Sequence, residues 1–228
     1  NPTHFIRLHK DENTTIDESL VKSRRVPRQV LQLAKQILDK IPLNERVPKQ
    51  WKPRDFEGTV NWVSNFEQID YSKGKWMLMT RTNKMLEPLK DFFEDKGYYY
   101  GSKKGNNLVN IDLLQAISTW RNLNKGQLVP AKLAQKMYTF MTVKSGSLKR
   151  NFGSGVSLKN VIEDLVNIED LRNEHGLLAT SSWEQALDKI NDKKRNFIIA
   201  MEKNGEDISP EAKPRIKLST IHGAKGDE

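Results

Sequence analysis

One run of residues, KWMLMTR from Lys75 to Arg81, narrows the fold class more than any other feature of the chain. It is entered from a turn-like Ser72-Lys73-Gly74 and carries an apolar centre, which reads as a β-strand. Because the apolar centre does not alternate with polar residues, the run predicts burial on both faces, as in a parallel sheet. Directly behind it Met85, Leu86, Leu89, Phe92 and Phe93 fall on one helical face, and Gly97 follows Lys96 as a helix stop. A strand, a short polar turn and a helix form half of a β-α-β unit, so the chain is expected to be α/β.

Flanking segments extend this pattern. Pro27 suits a first helical turn, and Val30, Leu33, Ala34, Ile37, Leu38 and Ile41 recur on one face until Pro42. Residues 1–20 carry mixed charge around Phe5-Ile6-Arg7-Leu8 and read as irregular, as do residues 42–57. GTVNWV at 58–63 is expected to be a short strand. From about residue 99 the character changes: GSKKGNN is a polar turn, and the patterned segments that follow all read as helices. Ile111, Leu114, Ile117 and Trp120 mark one; Leu133, Ala134, Met137 and Met141 another; Val161, Ile162, Leu165 and Ile168 a third. Ala186, Leu187, Ile190, Phe197 and Ile198 fall in a long fourth. Between the second and third, VKSGSLKRNFGSG places Lys144, Lys149 and Arg150 among Gly and Ser with no acid, a flexible basic loop by composition. Ser209-Pro210 and Pro214 then lead into RIKLSTIH, a strand again. With 228 residues, the chain fits an α/β domain interrupted by a helical insertion.

Charge and composition set the function classes. A formal net charge of +9 favours a polyanionic partner, nucleic acid first. Neither a long apolar span nor a signal-like segment occurs, so no membrane is expected. With 0 Cys, disulfides, thiolate zinc sites and Cys nucleophiles are excluded. The 4 His are scattered without a second metal-ligating partner at helical spacing, so a metal-independent, intracellular fold is expected.

Three stretches could carry chemistry. In LVKSRRVPRQVL, Arg24 and Arg25 stand just before a helix, either as a basic flank or for an anionic ligand; cations there gain nothing from the helix dipole. In LMTRTNKM, Arg81, Thr82 and Asn83 sit where a strand ends and a helix begins. This is where α/β sheets bind ligands, and also where Thr82 or Asn83 could simply cap the helix. In LSTIHGAKGDE, Thr220 and His222 offer hydrogen bonds at a strand end, Lys225 a charge, and Gly223 and Gly226 close backbone approach. A Gly-x-x-Gly turn resembles the clamp loop of KH RNA-binding domains, but a strand precedes it here, which argues against that fold. No G-x-x-x-x-G-K-[ST] phosphate loop is present.

In this order the three stretches resemble the second half of a UvrD/Rep-type superfamily 1 DNA helicase. SRRVPRQVLQLA is similar to motif IV of that family, WMLMTRTNKMLEPL to motif IVa, and IKLSTIHGAKGDE to motif V, the most specific of the three. The resemblance implies an α/β, RecA-like parallel sheet flanked by helices, a second motor domain with no phosphate loop of its own. Its first part would span 1–98, a mainly helical accessory domain 99–211, and the resumed motor domain 212–228. It also implies an ATP-dependent helicase that translocates on single-stranded DNA, usually 3′ to 5′, and unwinds duplex DNA. Such an enzyme works in the cytoplasm of a bacterial or phage-infected cell, or on the nucleoid.

Residue by residue, the resemblance makes Arg25 the arginine that reaches the ATP γ-phosphate across an interdomain cleft, and hence the catalytic residue here. Arg24 stands where the family places a Tyr that stacks on adenine; a guanidinium plane can stack there too. Glu228 would lie near the ribose and Gly226 at the same nucleotide face. Arg81 and Asn83 would meet single-stranded DNA, and Thr220 and His222 the DNA backbone, with the basic 144–159 loop on duplex. ATP and Mg²⁺ are the implied cofactors. The Mg²⁺ ligands and phosphate loop are expected in an N-terminal RecA-like domain that would precede Asn1, with motif VI following Glu228, so the chain is expected to be a fragment, inactive alone. The alternatives are a nucleic-acid-binding module or an inactive helicase-like scaffold, both without ATPase activity.

Overall fold

The computed structural model describes residues 22–46, 50–102, 108–159 and 165–225, which divide into two compact units, Asn1–Ile69 and Asp70–Glu228. Phe5 to Leu8, Lys103 to Asn107, Val161, Ile162, Gly226 and Glu228, with the expectations that fall on them, lie outside the described residues.

The first unit is built on α1, Arg28–Leu38. Pro27 stands at its N-cap, one residue before the first helical turn in which the sequence places it, and offers no side-chain cap. The helix is tied down instead by an extended segment: Arg28 and Gln29 donate their backbone N–H groups to the Phe56 and Glu57 carbonyls, each at 3.0 Å. Lys22 pairs with Lys52 in a parallel bridge, and Ser23 N–H donates to the Lys52 carbonyl at 2.9 Å. Two expectations fail here. The predicted α1 core face is largely open, with Val30 39%, Ile37 57% and Ile41 38% exposed, while Leu31, off that face, is buried. GTVNWV is not a strand: no strand partners it among the described residues, Trp62 is 84% exposed, and the Val60 N–H donates to the Gln29 side chain at 3.1 Å.

The second unit opens on β1, Trp76–Thr80, followed by a 3₁₀ turn, Asn83–Leu86, and α2, Glu87–Lys96. Gly97 ends α2 in the left-handed region at φ 68°, as expected. The chain returns as β2, Tyr100–Ser102, where the sequence predicts no strand and places Gly101 and Ser102 in the polar turn GSKKGNN. Helical structure follows: α3, Ile111–Asn124; a short β3, Val129–Pro130; α4, Ala131–Tyr138; β4, Leu165–Val166; α5, Ile168–Asn173; α6, Trp183–Ala186; and α7, Asp192–Lys203. Then come β5, Ile216–Thr220, and a single turn, α8, Ile221–Ala224.

β5 slots between β1 and β2, and all three strands are parallel. The register aligns Trp76 with Ile216 and Thr80 with Thr220. Beneath the sheet Tyr71, Phe93 and Tyr100 are buried, with Tyr71 and Phe93 edge to face at 4.9 Å. The expectation that β1 is buried on both faces is corrected: Met77 is 41% and Met79 53% exposed. β1 is an edge strand, and its Met77–Met79 face is open among the described residues.

In the helical part α3 is central, burying Leu113, Leu114, Ile117, Trp120 and Leu123, each apolar side chain contributing about 1.5–3 kcal/mol relative to exposure. The third predicted helix reduces to α5, because Leu165 and Val166 pair with β3 in antiparallel fashion. The long fourth helix is two, α6 and α7, since Asn191 caps the Lys194 N–H at 2.9 Å and starts a new one. The basic 144–159 segment is anchored and not a free loop: Ser147, Leu148 and Leu158 are buried, and Lys149 N–H donates to the Gly176 carbonyl at 2.8 Å. Its cations Lys144, Lys149 and Arg150 remain exposed.

α7 ties this helical part back to the sheet side. Lys193 Nζ lies 2.6 Å from Glu94 Oε2 on α2, and Asn204 Nδ2 donates to the Gly97 carbonyl at 3.1 Å. No helix among the described residues is long and apolar enough to cross a membrane.

Candidate functional site

The site is built at one end of the sheet. Because β1 and β5 are parallel and pair Thr80 with Thr220, both strands end side by side, although 140 residues separate those threonines in sequence (220 minus 80). Arg81 and Asn83 leave the end of β1, and Thr220 and His222 the end of β5. The fold thus brings these four sequence-predicted residues to one sheet edge, the carboxyl end where open α/β sheets bind ligands.

Local hydrogen bonds fix the two turns. Thr80 Oγ1 donates to the Thr82 carbonyl at 2.8 Å, and Met85 N–H donates to the same carbonyl at 3.2 Å. Thr82 occupies the N-cap of the 3₁₀ turn but makes no side-chain cap hydrogen bond, and Asn83 is the first residue of the turn, so neither side chain serves as the cap. Across the edge, Thr220 Oγ1 accepts the Gly223 N–H at 3.0 Å and so caps α8. Arg81, Asn83 and His222 are exposed, with Thr220 half-buried between them.

Two further residues hold the shape of this edge: Ser219, which no sequence signal assigns to it, and Gly223, expected there for close backbone approach. Ser219 is buried and its Oγ donates to the Thr220 carbonyl at 3.1 Å. Gly223 packs so closely that a Cβ there would lie 2.8 Å from Ser219 Oγ and 3.1 Å from Thr220 Oγ1. The signal for the cap is the Thr220-to-Gly223 spacing of three residues, which reads as a capping arrangement only once β5 is known to end at Thr220.

Chemically this edge offers donors: the Arg81 guanidinium, the Asn83 amide, the His222 ring and, one residue beyond α8, the exposed Lys225. Such a set holds anionic or hydrogen-bond-accepting groups.

Arg24 and Arg25 lie on the first unit, both exposed, in a turn that Ser23 organises: its Oγ accepts the Arg25 N–H at 3.3 Å and the Val26 N–H at 3.0 Å. The first N–H groups of α1 are already taken by Phe56 and Glu57, so an anion at Arg24 and Arg25 would be held by the guanidinium groups and not by the helix end. Gly226 and Glu228, the remaining nucleotide-side residues, lie outside the described residues. Among the described residues no group of three or more His, Asp and Glu side chains is placed to hold a metal ion. Comparison with family models, with curated proteins and with solved structures finds no match.

Proposed function

We propose that this chain is the second, RecA-like motor portion of an ATP-dependent DNA helicase of the UvrD/Rep type, carrying a mainly helical accessory insertion. The observation that carries the reading is the parallel register of Thr80 with Thr220, which sets the Arg81/Asn83 turn beside the Thr220/His222 turn at one sheet edge. In this reading that edge contacts a single DNA strand, Arg81 and His222 meeting phosphates and Asn83 a base or sugar. Arg25 faces the ATP γ-phosphate from a turn, where its always-charged, rigid fork suits a transferring phosphoryl group. Arg24 offers its plane to the base, and Gly226 and Glu228 the nucleotide's sugar side.

The chain has no G-x-x-x-x-G-K-[ST] segment, so the reading assigns ATP phosphates to a separate phosphate-loop domain as partner. Mg²⁺ is assigned to no described residue of this chain, and no step is routed through it. When bound, ATP supplies the phosphoryl group whose transfer drives movement; this chain's part is to orient it and neutralise charge.

Binding of a labelled single strand tests the edge. Arg81→Ala and Thr220→Val should each weaken binding by about three- to tenfold, and together more than either alone. Full affinity in the double variant removes the edge from the DNA path. Two turnover assays test the motor assignment. Residues 1–228 alone should show no Mg-dependent ATP hydrolysis, and Arg25→Ala, in a protein joined to its phosphate-loop domain, should abolish turnover while sparing most nucleotide binding. Robust hydrolysis by the isolated chain, or unchanged turnover in the variant, defeats it.

A second reading, a nucleic-acid-binding module without motor activity, is favoured by the exposed Lys144, Lys149 and Arg150 on an anchored segment. It predicts salt-sensitive duplex binding that Lys149→Gln with Arg150→Gln weakens, whatever phosphate-loop domain is present.

A further inference from the structure

The first unit holds a cleft of about 730 Å³. One wall is a face of α1 that carries Arg28 and Lys35; the other is the segment that carries Lys52, Arg54 and Asp55, and Lys22, bridged to Lys52, joins them. Among the described residues, five cations therefore converge on one space with a single carboxylate, Asp55, and no aromatic ring lines it. Arg28 is partly engaged by Glu57 at 3.6 Å, and Arg54 lies over the Phe56 ring at 4.7 Å. Among the described residues no carboxylate pairs with Lys22, Lys35 or Lys52.

A concave wall of one sign focuses potential on an anion, and the ligand class follows from the cations and side-chain types of the described lining. With no ring among the described lining residues to stack on, a base gains little from these walls, which hold a mononucleotide by its phosphates. The volume falls in the range of clefts that take drug-sized ligands, about 300–1,000 Å³, more than a lone phosphate needs. Cations spread over both walls suit successive phosphates at fixed spacing. We propose that this cleft binds the phosphodiester backbone of a nucleic-acid strand, as a contact separate from the sheet edge and independent of whether the chain belongs to a motor.

Two triple variants with the same net charge test it, each removing 3 of the surplus 9 positive charges. Lys22→Gln with Lys35→Gln and Lys52→Gln strips the cleft; Lys73→Gln with Lys203→Gln and Lys213→Gln strips exposed positions elsewhere. With a short labelled oligothymidine at low salt, the cleft variant should lose about tenfold or more in affinity, and its log–log salt slope should flatten by about 2, the value for three single-strand phosphate contacts. The control variant should keep most of both, and circular dichroism should match the parent for both. Equal losses in the two variants would show a net-charge effect and overturn the proposal. Since the chain has 0 Cys, Gln32→Cys, on the cleft wall, accepts one environment-sensitive fluorophore. Its signal should change as the oligonucleotide saturates. A silent label at saturation, or a response to tripolyphosphate at equal or lower concentration, would also overturn the backbone assignment. Arg81→Ala leaves the label response intact if the two contacts are separate.

Discussion

Gly223 and Gly97 show how much a missing methyl group can decide. At Gly223 the constraint is space: a Cβ would meet Ser219 Oγ at 2.8 Å, and the buried Ser219 hydroxyl can move only by giving up its hydrogen bond to the Thr220 carbonyl. Gly223→Ala should therefore dislodge the Ser219 and Thr220 hydroxyls at a cost of about 1–3 kcal/mol, felt at the sheet edge. At Gly97 the constraint is double, because φ is 68° and a Cβ would lie 2.6 Å from the Ala200 backbone carbon. Gly97→Ala should strain the end of α2 and push α7 away together, a loss above 2 kcal/mol by urea unfolding. The two variants should part in their readouts. Gly223→Ala weakens single-strand binding more than it lowers the urea midpoint, and Gly97→Ala does the reverse; the same ratio of effects in both would contradict this account.

Among the elements, the α2–α7 contact ties the helical part to the sheet. Glu94 is its centre: Oε1 accepts the buried Tyr100 hydroxyl at 2.6 Å, and Oε2 lies 2.6 Å from Lys193 Nζ. Glu94→Ala leaves the Tyr100 hydroxyl without its acceptor and should cost about 2 kcal/mol, whereas Glu94→Gln, which still accepts from Tyr100, should cost less. Equal losses would mean that the Lys193 ion pair dominates. The elements also show what was legible in sequence. β1, α2 and the Gly97 stop followed from apolar runs and one glycine, because those signals are local. β2 was missed because three residues, YGS, carry no period; only pairing with β5, reached more than 110 residues later (216 minus 102), makes them a strand. The split of α6 from α7 escaped because Leu187 and Ile190 are buried as a helical face would be, while Asn191 restarts the helix through a side-chain cap that periodicity does not register. Arg81, Asn83, Thr220 and His222 could be picked from motifs, but their meeting at one edge depends on strand order. The cationic cleft is not legible as one motif: Lys22 and Arg28 fall in LVKSRRVPRQVL, but Lys35 and Lys52 come from two other stretches.

At the scale of the whole molecule, stability is unevenly distributed. Among the described residues Leu31 is the one buried apolar side chain of the first unit, while the second holds the rest of the core, including four buried tyrosines. Those tyrosines make the second unit sensitive to alkali. Burial, joined at Tyr100 by the hydrogen bond to Glu94, holds the hydroxyls of Tyr100 and Tyr138 well above the ordinary phenol value, and burial raises Tyr71 and Tyr99 as well. The unfolded chain ionises these phenols near pH 10 while the folded chain keeps them neutral to higher pH, so above pH about 10 the unfolded state binds fewer protons and stability falls as pH rises. Below pH about 10 the contribution is complete. Lys193, raised by its hydrogen bond and charge pairing with Glu94, acts in the same direction: its contribution is present below its ordinary value and is lost as pH climbs past it. Each buried phenol is worth up to about 1.4 kcal/mol per pH unit in this window. Urea unfolding of the second unit, followed by tryptophan fluorescence at about pH 9 and about pH 11.5, should therefore show a stability loss that Tyr100→Phe with Tyr138→Phe reduces by about 4 kcal/mol. If the double variant loses as much stability between those pH values as the parent, lysine deprotonation and not tyrosine burial sets the alkaline limit of the fold.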